Sequence, residues 1–256
     1  MTAAGVAPSK DYVPHHEPFQ YYVSTRNPNH TRPSVQPTSY GTSKDTGANH
    51  QYDTHDFFDA LNAGNLASVT FLKPPKFQNA HPGNSDPLDE QNFVVSVINA
   101  LQATQFWEST AVIVAYDDSD GWYDHANHVI NPSFNTNVDA LEGTGICEPL
   151  PHTFFPAFET PLPGIEGKPV NGRCGYGPRL PLLVISPWAK HNFVDHRVTD
   201  QSSIIRFVED NWLNGERIGQ GSYDAVAGSL FDMFDFQQLP YTKLKLDPVT
   251  GLVKFP

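Results

Sequence analysis

Residues 110–118 read Thr-Ala-Val-Ile-Val-Ala-Tyr-Asp-Asp, and this stretch decides the fold class. Its continuous apolar part is typical of a strand that is buried on both faces of a parallel sheet. Residues 180–186 have the same character, and amphipathic helical patterns lie at 89–103 and after Asp200. Strands that alternate with helices predict an α/β fold with a mainly parallel sheet flanked by helices. Ligands bind beyond the carboxyl ends of the strands in such sheets, where the two aspartates of the quoted stretch lie.

Two shorter elements and one long loop complete the predicted fold. Asp53-Thr54 begins a helical pattern that ends near Gly64, and residues 68–72 predict another buried strand. Residues 119–179 lack periodicity but contain many aromatic side chains, which predicts long ordered loops. We expect a single domain over residues 1–256.

The charge balance and the apolar runs exclude two classes of partner. The 256 residues include 16 Lys and Arg against 28 Asp and Glu, which gives a formal net charge of −12. This charge opposes a phosphate backbone, so binding of nucleic acid through bulk charge is excluded. Every apolar run is far shorter than the ~20 residues of a transmembrane helix, and residues 1–10 lack a secretory pattern. We expect no nucleic-acid partner, no transmembrane segment and no signal peptide in this chain.

An acidic stretch follows the first predicted strand, and its members are Asp117, Asp118, Asp120, Asp124, His125 and His128. Carboxylates beside a core are costly unless a cation or hydrogen bonds offset their charge. A calcium loop of the EF-hand type does not fit, because its frame puts Tyr116 first and Asn127 twelfth, where carboxylates are required. A metal site at Asp117 and Asp118 is one interpretation. A solvated turn on Asp120-Gly121 is the other.

Histidines supply the second candidate group. His15 and His16 stand between Pro14 and Pro18, whose fixed backbone angles suit two donors directed at an oxyanion. The alternative is a pair of surface loop histidines. His81 precedes a proline in a loop before the 89–103 helix and means little alone. The chain has no Gly-x-Ser-x-Gly elbow, no phosphate-binding Gly-x4-Gly-Lys-Ser/Thr loop and no Gly-x-Gly-x-x-Gly motif.

Four blocks of this sequence together resemble the bacterial phosphoesterase family that contains the non-haemolytic phospholipases C and related acid phosphatases. The blocks are Pro14-His15-His16-x-Pro18-Phe19-x-Tyr21, His81-Pro82, Tyr116-Asp117-Asp118-x-x-Gly121-Trp-Tyr123-Asp124-His125, and Gly177-Pro178-Arg179-Leu180-Pro181 running to Ile185-Ser186-Pro187. The resemblance implies an alkaline-phosphatase-like fold and hydrolysis of phosphate esters by a metal-bound Ser or Thr nucleophile.

The resemblance also implies roles for particular residues. Asp117 and Asp118 would bind one or more divalent metal ions, and an all-carboxylate pair suits Mg, Ca, Mn or Zn alike. His15 and His16 would contact the phosphoryl group of a small phosphate ester or of a phospholipid headgroup. His81 would protonate the leaving group, and because imidazole titrates near neutral pH, an acidic optimum is expected.

Two departures favour the acid phosphatase branch, with phospholipase C as the alternative. Members of the phospholipase branch usually carry Asp-Glu in place of Asp117-Asp118, and an acidic residue in place of Ala80. The family's Glu-Asn metal motif and its nucleophile belong upstream of the double histidine, and only ten residues precede Asp11 here. The chain is therefore expected to resemble the C-terminal half of such an enzyme. It would then act with a separate N-terminal half chain, or be a catalytically incomplete fragment that binds metal or phosphate.

The two cysteines bear on the compartment. Cys147 and Cys174 either pair and close a loop of about 28 residues, or are unrelated thiols. A disulfide would require an oxidising compartment. Together with the exported habit of the family, it predicts a periplasmic or secreted protein.

Overall fold

The computed structural model describes residues 11–13, 16–32, 48–119, 179–219, 222–240 and 243–254. Its helices are α1 (Thr54–Ala63), α2 (Pro87–Gln102) and α3 (Ser202–Trp212), and its strands are β1 (Val112–Ala115) and β2 (Leu182–Ile185). Short 3-10 helices lie at Pro18–Tyr21, Lys76–Gln78, Gln105–Ser109, Tyr223–Ala225 and Phe231–Met233. The predicted combination of helices and strands is confirmed. The parallel sheet and the likeness to alkaline phosphatase stay predictions.

The chain divides into two compact units. The first is drawn from Met1–Val112 and Leu239–Pro256, and the second from Ile113–Gln238. The expectation of a single domain over residues 1–256 stays a prediction.

The helices of the first unit begin and end at the residues that their caps dictate. The backbone N–H of Asp53 donates to the carboxylate of Asp56 at 2.9 Å, and Gly64 ends α1 in the left-handed conformation with φ 70°. Asp86 caps α2 by accepting from the N–H groups of Leu88 and Asp89 at 2.7 and 3.1 Å. α2 thus begins before the predicted residue 89, because its cap lies upstream of the apolar pattern.

The core of the first unit lies where α1 contacts α2. Its buried apolar side chains are Phe57, Ala60, Leu61, Val95, Val97 and Leu101. Residues 244–254 form a hairpin that is hydrogen-bonded to side-chain amides of α2. Asn99 Nδ2 donates to the Leu246 carbonyl at 2.7 Å, and Gln102 Nε2 donates to the Leu244 carbonyl at 2.9 Å. These amides satisfy carbonyl groups that lack a neighbouring strand.

The predicted strand at residues 68–72 is wrong, because this segment is a loop that bends at residues 68 and 69. Its central aromatic residue, Phe71, is 54% exposed and packs against the ring of Phe19 at a centroid distance of 5.5 Å. The apolar residues of the segment therefore serve a ring contact with the N-terminal region instead of a sheet.

The second unit contains the pairing of β1 with β2, followed by α3. The prediction of two strands at these positions is confirmed, but their complete burial is wrong. The residues of both strands are half-buried or exposed, and Leu183 is 54% exposed. Within the described residues the sheet has only these two strands, so each strand there has one hydrogen-bonded neighbour.

A polar cluster is buried in the second unit. Glu209 of α3 and Asp224 are 3% and 0% exposed, and their carboxyl groups interact electrostatically. Burial, and then the charge of Asp224, raise the pKa of Glu209. Burial opposes ionisation of Asp224, but hydrogen bonds from Ser222 and from the Ile218 N–H outweigh it and lower the pKa of Asp224. Arg217 donates to the Glu209 carboxylate at 3.1 Å and offsets the buried negative charge.

Candidate functional site

Two of the predicted histidines lie close together in the first unit. The rings of His16 and His81 are 6.5 Å apart between centroids and inclined at 32°. Two further contacts join the segments that carry them. The Lys76 N–H donates to the Asp11 carbonyl at 2.9 Å, and Phe19 packs against Phe71. The N-terminal region is thus held beside the loop that leads to α2.

His16 lies just before the 3-10 helix at Pro18–Tyr21. Its N–H donates to the Val13 carbonyl at 3.0 Å, and its side chain is half-buried. Glu17 caps the 3-10 helix by accepting from the Phe19 N–H at 3.2 Å, and burial raises the pKa of Glu17. His15 lies outside the described residues.

His81 is presented by a tight turn before α2. The Asn79 side chain accepts from the His81 N–H at 3.1 Å, and the Ser85 hydroxyl accepts from the Ala80 N–H at 2.8 Å. His81 Nδ1 lies 2.8 Å from the Pro82 carbonyl. A carbonyl oxygen only accepts, so Nδ1 carries a proton in this contact. Nε2 is then the ring nitrogen that remains for a ligand, and the side chain is exposed.

The turn that carries His81 includes two locally unfavourable features. Ala80 has φ 56°, a left-handed conformation that costs a residue with a Cβ about 1–2 kcal/mol. Asn79 Nδ2 is buried without a hydrogen-bond partner among the described residues. Such features persist where the surroundings impose them, and they cluster at functional sites.

Asp117 and Asp118 lie in the second unit, directly after β1. The strand ends at Ala115, the chain bends at Asp117, and both aspartates are exposed. The side-chain amide of Gln201 donates to the Tyr116 carbonyl at 2.9 Å and to the Asp117 carbonyl at 2.8 Å. Because the chain has left the strand, the alternation of side chains across a sheet does not apply to the two carboxylates.

The donor chemistry of this pair fits a hard divalent cation, which prefers carboxylate oxygen. Over the ranges that the structure describes, no group of three or more His, Cys, Asp or Glu side chains is arranged to hold a metal ion. Two carboxylates would thus be a partial ligand set. Asp120, Asp124, His125, His128, Cys147 and Cys174 lie outside the described residues.

The sequence match decides the family. Residues 6–213 match the phosphoesterase family. The chain belongs to this family. The resemblance inferred from the four sequence blocks is thereby confirmed.

Relatives in the phosphoesterase family include phospholipases C from bacteria and a plant. The non-hemolytic phospholipase C of Pseudomonas aeruginosa is 32% identical over 203 residues, which are 76% of this chain and 28% of that protein. Phospholipase C A of Mycobacterium tuberculosis is 27% identical over 192 residues, 72% of this chain and 32% of that protein. Non-specific phospholipase C3 of Arabidopsis thaliana is 30% identical over 155 residues, 57% of this chain and 24% of that protein. The chain spans about a quarter to a third of the length of these relatives.

Sequence reasoning missed residues that hold the backbone beside the predicted side chains. Asn79 could have been found, because an Asn side chain often accepts from the N–H two residues later. Ser85 and Gln201 had no such signal. Gln201 contacts Asp117 across 84 residues of sequence, and no local pattern predicts that contact.

Proposed function

We propose that this chain takes part in the hydrolysis of a phosphate ester, in the manner of an acid phosphatase. His16, with His15, would contact the phosphoryl group, His81 would protonate the leaving group, and Asp117 and Asp118 would bind one or more divalent cations. The observation that carries the proposal is the 6.5 Å separation of the His16 and His81 rings in a chain of this family. Charge-assisted hydrogen bonds are about 2.7–2.9 Å long. Two rings whose centroids are 6.5 Å apart are therefore close enough to donate to different oxygens of one phosphoryl group.

The tautomer of His81 decides which ring nitrogen can serve the acid role. Nδ1 donates to the Pro82 carbonyl, so a proton for the leaving group has to come from Nε2. Nε2 carries a proton in this arrangement only when the ring is an imidazolium. Turnover of esters with poor leaving groups should therefore depend on His81, because such leaving groups need a proton from a general acid.

Asp117 and Asp118 supply oxygen donors for the cation at the end of β1. A bound cation would stabilise negative charge on the phosphoryl oxygens in the transition state. The carboxylates are hard ligands, and their chemistry alone leaves Mg, Ca, Mn and Zn open.

The test of the acid role compares two classes of ester. We expect His81→Ala to reduce turnover of an alkyl phosphate far more than turnover of 4-nitrophenyl phosphate, whose leaving group needs no proton. His55→Ala is the matched control, because His55 is an exposed histidine of α1 in the same unit. Equal losses on both esters in the His81 variant would contradict the acid role.

Phospholipase C activity is the second candidate, and the names of the relatives favour it. The two candidates differ in substrate, since a phospholipase C cleaves a phosphodiester that carries a headgroup. Faster release of nitrophenol from 4-nitrophenylphosphorylcholine than from 4-nitrophenyl phosphate would favour phospholipase C. Release from neither ester, with inorganic phosphate still bound in a calorimetric titration, would favour a fragment that binds without catalysis.

Several sequence predictions accompany this proposal. A separate N-terminal half chain is the proposed protein partner, and the chain would act in the periplasm or outside the cell. The sheet would be mainly parallel and alkaline-phosphatase-like. In the described part of the chain, every helix is too short or too polar to cross a lipid bilayer.

A further inference from the structure

Gln201 lies at the start of α3, between residues that cap the helix. Asp200 accepts from the Ser202 N–H at 2.7 Å, and the Asp200 N–H donates to the Ser203 hydroxyl at 3.0 Å. Ser203 is 0% exposed, so this capping arrangement is anchored in the interior of the second unit. The position from which the Gln201 side chain extends is therefore fixed by the helix start.

One amide group of Gln201 binds two successive carbonyls. Its Nε2 donates to the Tyr116 carbonyl at 2.9 Å and to the Asp117 carbonyl at 2.8 Å. The first carbonyl belongs to the peptide plane before the Cα of Asp117, and the second belongs to the plane after it. Peptide planes are rigid, so hydrogen bonds to the carbonyls on both sides of this Cα restrict φ and ψ of Asp117.

We propose that Gln201 is a positioning residue for the carboxylates of Asp117 and Asp118. By restricting both dihedral angles of Asp117, it limits the direction of that side chain and the path of the chain into Asp118. The inference rests on the cation site of the proposed function. Groups that orient metal ligands without touching the metal typically change metal affinity about 10–100-fold when they are replaced.

The chain offers a matched control for this role. Gln238 also uses one side-chain amide to bind two carbonyls in the second unit, those of Pro187 at 3.3 Å and Ala189 at 3.0 Å. Methionine has the length of glutamine and no charge but cannot donate, so Gln201→Met and Gln238→Met each remove one amide donor. A purely structural role for Gln201 predicts similar behaviour of the two variants toward metal.

The experiment is a calorimetric titration of the full 256-residue chain with Mn²⁺ alone. We expect Gln201→Met to weaken Mn²⁺ binding at least about tenfold, and Gln238→Met to leave it at the wild-type value. Thermal unfolding without metal verifies that both variants are folded. Gln201→Asn is the second variant, because it keeps the amide but is one methylene too short to reach both carbonyls, and it should weaken binding as well.

The outcomes separate the inference from the proposed function. Wild-type affinity in both Gln201 variants would overturn the inference and leave the cation site standing. An equal loss of affinity in the Gln201 and Gln238 variants would also overturn it, because the effect would then be general. Absence of Mn²⁺ binding by the wild-type chain would overturn the proposed cation site and the inference together.

Discussion

Replacing Asn79 with alanine should leave the free energy of unfolding within about 1 kcal/mol of the wild-type value. The variant loses the hydrogen bond from the His81 N–H, which is 3.1 Å long and solvent-exposed. Such a bond contributes about 0.5 kcal/mol, the low end of the usual range. The variant also removes a buried Nδ2 that has no partner in the described part of the chain; because Asn79 as a whole is half-buried, we expect this group to cost about 1 kcal/mol, the low end of the usual range. The two effects oppose each other, so truncation of this buried polar side chain is nearly neutral or slightly stabilising.

Ser85→Ala is the matched comparison in the same turn. It removes the acceptor of the Ala80 N–H, a partly buried bond of 2.8 Å, and relieves no unpartnered group. We expect it to lower the free energy of unfolding by about 1 kcal/mol. The smaller change in side-chain volume should therefore be the more destabilising one.

Urea unfolding measures both free energies, and amide hydrogen exchange followed by NMR reports on the turn itself. Exchange of the His81 amide should be faster in Asn79→Ala, because its acceptor is gone, while the global free energy is unchanged. A loss of more than about 2 kcal/mol in Asn79→Ala would refute this reasoning, since it exceeds one exposed hydrogen bond. An unchanged His81 exchange rate would show that the bond from Asn79 does not hold the turn.

Three further predictions concern charged groups. Arg217→Met should lower the free energy of unfolding by more than the replacement of an exposed ion-pair partner does, because it leaves the buried Glu209 without this cation. Burial, and then the charge of Asp224, raise the pKa of Glu209, so the stability of the wild-type protein should fall as pH rises from the ordinary Glu pKa through the raised one. Urea unfolding at a series of pH values measures this decline, and Glu209→Gln should lack it. Hydrogen bonds from the Thr250 N–H, and then from other groups of the same turn, lower the pKa of Asp247. The stability of the wild-type protein should therefore fall as pH drops from the ordinary Asp pKa through the lowered one. Asp247→Asn should lack this loss of stability.

Controls for these variants come from the same chain. Lys254 forms an exposed ion pair with Asp247 at 3.7 Å, so Lys254→Met should cost less than about 1 kcal/mol. If Arg217→Met lowers the free energy of unfolding no more than Lys254→Met does, the ion pair of Arg217 with Glu209 contributes no more stability than an exposed ion pair. A stability difference between Glu209→Gln and wild type that stays constant with pH would contradict the raised pKa. A stability difference between Asp247→Asn and wild type that stays constant with pH would contradict the lowered pKa of Asp247.

The helices could be predicted from sequence because their limits are set by residues close in the chain. Asp53 and Gly64 bound α1 through their own backbone conformations, and a Pro after Asp86 starts α2. β1 and β2 were also found, because their apolar runs are continuous. The degree to which these strands are buried could not be predicted, because it depends on which elements cover the sheet.

The false strand at residues 68–72 shows the limit of local patterns. A short apolar run that ends at prolines fits a strand, but it fits equally an extended loop that uses its aromatic residue elsewhere. Phe71 contacts Phe19, more than fifty residues away in sequence. No periodicity within either segment encodes that partner.

The reactive side chains of the candidate site could be predicted from sequence, whereas the residues that hold them in place could not. Histidines and paired aspartates could be singled out because few side chains can transfer protons or bind cations, so their clustering in sequence is informative. The groups that fix them are common amides and hydroxyls, such as Asn79, Ser85 and Gln201, and they act by accepting from or donating to backbone. Any Asn, Ser or Gln offers the same hydrogen bonds, and only the fold determines which one lies within 3 Å of the right peptide group. The supporting residues of a site are therefore determined by the three-dimensional fold, even when its reactive residues are evident from sequence.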